Sequence, residues 1–89
     1  MAVYIVTYEL RKPNKDYKSL YEYLKTYTHC HSSTSCWFID TNRTSVQVRD
    51  AVLAHIDSND SFFVARLHQD WASFDVKCAD WLNAPARKW

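Results

Sequence analysis

Glycine is absent from the 89 residues. At its ordinary frequency of about 7%, a chain this long carries roughly six. Phosphate-cradling glycine loops and dinucleotide fingerprints are thereby excluded, and left-handed turn positions fall to Asn, Asp or Ser. An excess of charge is also missing. Eleven basic residues stand against ten acidic ones, a net charge of +1, so global charge gives no support for a dedicated nucleic-acid binder. The cysteines number three, an odd count. No secretory signal or long apolar run accompanies them, which points to a reducing, cytoplasmic setting and no membrane partner.

What is present is apolar and aromatic. The hydrophobic fraction is 47% and the aromatic fraction 16%, with four Trp, six Tyr and four Phe, which rules out a disordered segment. A chain of this length makes one domain, residues 1–89, and buries roughly 60–65% of its unfolded surface. Some of the aromatic area exceeds what so small a core can hold, and exposed aromatics mark association surfaces.

The run Ala2-Val3-Tyr4-Ile5-Val6-Thr7-Tyr8-Glu9-Leu10 reads as a strand, ended by Pro13-Asn14. Both alternating sets are apolar, so it belongs in the middle of a sheet covered on both sides. Its one charge, Glu9, stands at the carboxyl end. Asp16 is a candidate cap for a helix to about Thr26, with a stripe of Tyr17, Leu20, Tyr21, Leu24 and Tyr27. Residues 28–32 and 35–40 form a hairpin around Ser33-Thr34. Thr44 and Gln47 fit a capping box for a helix ending near His55, with Val48, Val52 and Ile56 on one face. After the Asp57–Asp60 turn comes a second apolar strand, residues 61–67. A short helix at residues 77–82 and a frayed end at 84–88 complete the chain.

The order is strand, helix, strand, strand, helix, strand, the ferredoxin-like βαββαβ pattern of an α+β fold. The expectation is an antiparallel four-stranded sheet with two helices on one face, a core of residues 1–70 and a carboxyl-terminal extension of residues 71–89. The other face is left for a partner or for that tail.

On Tyr4–Leu10, Lys12–Tyr17, Ser35–Phe38, Asn59–Val64 and Trp81-Leu82, the chain resembles the stand-alone, SinR-like relatives of the small ferredoxin-fold "protein two" of CRISPR spacer acquisition. The resemblance implies a homodimer and, for some members, a metal-dependent nuclease. In those relatives an Asp ends the first strand, and here Glu9 takes that place.

The inferred topology gathers Glu9, Ser33, Thr34, Ser35, Asp57 and Asp60 at one end of the sheet. Glu9, Ser35 and Asp60 are the candidate catalytic residues, and Glu9 and Asp60 the candidate ligands for Mg²⁺ or Mn²⁺, the cofactors a nuclease would need. The plainer alternative is that Asp57 and Asp60 make the turn while Glu9 pairs with Arg11, Lys12 or Lys15. No other cofactor is expected. His29 and His31, with Cys36 across the hairpin, form a tempting zinc set, but Cys30 points away from them. Cys78 reads as a small buried thiol. Arg11, Lys12, Lys15 and Lys18 are the candidate phosphate contacts. Tyr4, Tyr8, Trp37 and Trp71 are the candidate interface aromatics. Three functions stay open: a homodimeric, non-catalytic module associated with nucleic acid or engaged in interaction, a divalent-metal-dependent endonuclease, and a protein-binding regulator from a phage or mobile element.

Overall fold

A computed structural model describes residues 2–11 and 17–89. Four strands, β1 (Ala2–Glu9), β2 (Thr28–Ser33), β3 (Cys36–Thr41) and β4 (Ser61–Arg66), form one sheet in the order β2-β3-β1-β4, with every neighbouring pair antiparallel. Helices α1 (Lys18–Leu24) and α2 (Ser45–Val52) lie on one face, α2 running on through a 3₁₀ turn at Leu53–His55. A four-residue helix, α3 (Ala79–Leu82), belongs to the tail.

Alternation along β1 divides the core in two. Ala2, Tyr4, Val6 and Tyr8 face the helices, where they meet Trp37 and Ile39 of β3, Leu20 and Leu24 of α1, and Val48 and Val52 of α2. Val3 and Ile5 face the other way, together with Phe38, and are covered by Leu67, Trp71, Val76, Cys78, Trp81, Leu82 and Trp89. The face left open by the sequence pattern is thus closed over much of its area by the chain's own tail.

Several local readings hold closely. Thr44 Oγ1 accepts from the Gln47 amide at 3.2 Å, and Gln47 Oε1 accepts from the Thr44 amide at 2.9 Å, completing the capping box. Asp75, at φ 56°, is the one left-handed residue among those described, a position that fell to Asp in the absence of glycine. Helix α1 is shorter than its apolar stripe. Tyr17 sits at its start without a side-chain cap, and Thr26 Oγ1 donates back to the Tyr23 carbonyl at its end. Asp16, the expected cap, lies outside the described residues. The hairpin register shifts between His31 and Ser33, which moves the turn one residue on, to Thr34 and Ser35.

Two features of the tail overturn expectation. The segment at residues 84–88 is not frayed, because the Arg87 guanidinium reaches Asp40 of β3 at 3.2 Å, with side chains only 9% and 5% exposed. Nor is Cys78 a thiol. It is joined to Cys30 of β2, with Cα atoms 6.0 Å apart. Alternation turns Cys30 away from the helices and toward the tail, into disulfide range. Bridging residues 48 apart in sequence restricts the unfolded chain by about 4 kcal/mol in the chain-entropy picture. Cys36 is the one free cysteine, half-buried, its thiol pushed up by burial.

Removing one partner of the buried ion pair leaves the other charge uncompensated. Arg87→Met is therefore expected to cost about 3–5 kcal/mol in urea unfolding. The exposed neighbour Lys88→Met should change stability by less than about 0.5 kcal/mol.

Candidate functional site

The end of the sheet that carries Glu9 is built by β1, the hairpin turn and the start of β4. Glu9 is register partner to Ser61, and the Tyr8 amide donates to the Ser35 carbonyl at 3.3 Å. Glu9, Ser35 and Asp60 therefore do gather at one end, on three different segments. What each is doing there is the deciding matter.

Asp60 holds the turn together. Its Oδ1 accepts from the Arg11 amide at 2.8 Å and from the Tyr17 hydroxyl at 2.9 Å, and its Oδ2 accepts from the Asp57 amide at 2.8 Å. Asp57 Oδ1 accepts from the Asn59 amide at 3.1 Å, an ordinary Asx turn. Glu9, with its side chain 71% exposed, pairs with Arg11 at 3.2 Å. These are the contacts of the plainer alternative, in which the carboxylates build the turn and answer Arg11. Among the described residues no group of three or more His, Cys, Asp and Glu is placed to hold a metal ion.

The two described members of the basic cluster are engaged by their own protein. Arg11 Nη1 donates to the Asn59 carbonyl and to Ser61 Oγ, both at 2.7 Å, beside its pairing with Glu9. Lys18 makes an i,i+4 ion pair with Glu22 at 3.7 Å. Lys12 and Lys15 lie outside the described residues.

His29 and His31 share a face, as alternation requires, but that face is the one carrying Trp37. Their rings lie 5.4 and 3.9 Å from the Trp37 ring, the latter stacked on it. Cys30 and Cys36 belong to the opposite cluster, and Cys30 is in the disulfide. The zinc set is thus split across the sheet.

The interface aromatics also need correction. Tyr4, Tyr8 and Trp37 are buried against the helices. Trp37 Nε1 donates to the Tyr8 hydroxyl at 2.9 Å, and that hydroxyl donates to the Thr34 carbonyl at 2.9 Å. Burial pushes the Tyr8 phenol above its ordinary value. Trp71 lies half-buried in the tail that covers the other face. None of the first three is free to meet a partner.

One concavity, of about 470 Å³, is lined by Arg66, Leu67, His68, Gln69 and Trp89, and two more bear on the candidate chemistry. A cleft of about 660 Å³ within the tail is lined by Gln69, Trp71, Ser73, Asn83, Arg87 and Trp89 among others. None of its lining residues is Asp, Glu, His, Cys, Lys or Tyr, so it lacks a general acid or base. The second, beside Glu9, has a volume of about 390 Å³ and is lined by Thr7, Tyr8, Glu9, Ser61, Phe62 and Phe63. It pairs one salt-bridged carboxylate with two phenylalanines.

Sequence reasoning missed the exposed apolar side chains. Phe63 is 61% exposed and Phe74 94%, and Val46 and Leu53 of the α2 segment are more than half exposed. Phe63 and Val46 flank a shallow groove between α2 and β4, with Phe62, Val64, Ser45 and Arg49. The signal available was the pair Phe62-Phe63: consecutive strand residues face opposite ways, so an edge position exposes one of them. No protein-family model matches the chain, and no solved structure matches it. No helix among the described residues is long and apolar enough to cross a membrane.

Asp60→Ala removes an acceptor of three hydrogen bonds and is expected to cost about 2–3 kcal/mol of folding stability. Glu9→Gln, at an exposed pair, should cost less than about 1 kcal/mol; chemical denaturation of both variants checks the contrast. A second expectation concerns alkaline pH. Burial, and then the neighbouring Tyr23 hydroxyl, push the Tyr27 phenol up to about 12 from 10.0. The unfolded chain therefore ionises this group first, so its contribution is full below pH 10 and is lost as pH rises to about 12. Tyr27→Phe should flatten the alkaline limb of a stability–pH curve, with part of the slope kept by Tyr8.

Proposed function

We propose that this chain is a homodimeric interaction module of ferredoxin-like βαββαβ architecture that performs no chemistry of its own. The strand order, the two helices on one face and the antiparallel pairing support the architecture. The resemblance to the stand-alone relatives of the CRISPR "protein two" family implies the same assembly. The observation that carries the functional reading is the exposed apolar patch at the β4 edge, with Phe63 and Val46 in open view. In a core this small, such side chains fit association better than folding.

The residues a nuclease would use speak for the same reading. Asp60 is held by three donors and Glu9 by Arg11, so a cation would have to displace existing bonds. Arg11, the first of the expected phosphate contacts, already answers Glu9, Asn59 and Ser61. A protein surface is accordingly favoured over nucleic acid as the thing bound.

Sedimentation equilibrium at micromolar concentration should show a dimer, and monomer alone up to about 100 µM would overturn the reading. Incubation with RNA or DNA and either Mg²⁺ or Mn²⁺ should leave the substrate intact. Cleavage abolished by Glu9→Gln would replace this reading with the endonuclease.

A further inference from the structure

The two edges of the sheet are treated differently by the sequence. β2 is polar, Thr-His-Cys-His-Ser-Ser, carries the register irregularity and is tied to the tail by Cys30. Polar side chains, irregular register and a covalent strap all discourage a further strand. β4 reads Ser-Phe-Phe-Val-Ala-Arg, with regular register and one charge at its end. It has none of those safeguards.

The ladder shows which groups β4 offers. The Leu67 amide donates to the Val3 carbonyl at 2.8 Å, so Val3 and Leu67 are a hydrogen-bonded pair. In an antiparallel ladder such pairs alternate. Residues 61, 63, 65 and 67 thus turn their backbone groups toward β1. Phe62, Val64 and Arg66 turn theirs outward, away from the sheet.

We infer that β4 pairs antiparallel with β4 of a second copy, about a two-fold axis at Val64, extending the two four-stranded sheets into one. This rests on the proposed homodimeric function and names the surface that performs it. The register is self-complementary. Val64 faces Val64 of the second copy, Phe62 faces Arg66, and the exposed Phe63 faces the small Ala65. About six backbone hydrogen bonds form between residues that now have none on that side. The two Arg66 side chains fall four residues apart, about 13 Å, beyond the screening length at physiological salt. A centre shifted two residues toward the carboxyl end would set Arg66 against Arg66, which like-charge repulsion opposes. The α2–β4 groove with Val46 lies along the same edge and is continuous with the new surface.

The test combines two variants with sedimentation. Val64→Cys in a Cys36→Ser background places thiols opposite each other in a hydrogen-bonded pair, with Cα atoms about 5.5 Å apart, within disulfide range. Mild oxidation should give covalent dimer on a non-reducing gel, while Thr28→Cys on the β2 edge, in the same background, should give none. Phe63→Lys changes an exposed residue and so keeps the fold, which circular dichroism would verify. It should weaken dimerisation by about 10- to 100-fold, the factor for losing one large buried apolar contact. A wild-type dimer that is unaffected by Phe63→Lys and not captured by Val64→Cys would overturn the β4 pairing and leave the homodimeric reading standing. Monomer alone for the wild type would overturn both. If Val64→Cys disturbs folding, the Phe63→Lys measurement decides.

Discussion

β1 lies between β3 and β4 with apolar side chains on both of its faces, and most of the chain is arranged to keep water from one or the other. At roughly 25 cal/mol per Å² of apolar surface, neither face of a central strand can stay wet in a domain with so modest a core. The helices answer one face through Leu20, Leu24, Val48 and Val52. The tail answers the other, and because it contains only one short helix it needs fasteners that regular structure would not. A disulfide and a buried ion pair supply them at two points, Cys30 and Asp40.

The same economy explains why the candidate catalytic end is inert in this reading. A chain without glycine makes its tight connections with side-chain caps, and the turn before β4 is made by Asp57, Asn59 and Asp60 acting on backbone amides. Carboxylates engaged in this way serve as scaffold. Under the proposed function, the association surface would fall to the part of the sheet left unpaired, the β4 edge.

Much of the fold was legible because it is written locally. The doubly apolar first strand, the Thr44–Gln47 box and the apolar run of β4 each declare themselves within ten residues. Alternation also separated His29 and His31 from Cys30 correctly. It could not say which alternating set would receive the helices, and so Tyr4, Tyr8 and Trp37 were assigned to a surface when they belong to the interior. The Cys30–Cys78 and Asp40–Arg87 contacts join points far apart in the chain, and no periodicity encodes such pairings. The site was legible in its location, at the end of β1, but not in its chemistry. Whether a carboxylate binds a cation or caps a turn depends on neighbours that only folding supplies.

The tail's covering of Val3, Ile5 and Phe38 also ties the wetting of one sheet face to a covalent bond. Reduction of Cys30–Cys78 would leave the Arg87–Asp40 pair and the apolar contacts to hold the tail, while the helix-facing core around Trp37 and Leu20 keeps its own packing. Loosening of this chain would then start at one face, baring an apolar sheet rather than an unfolded chain.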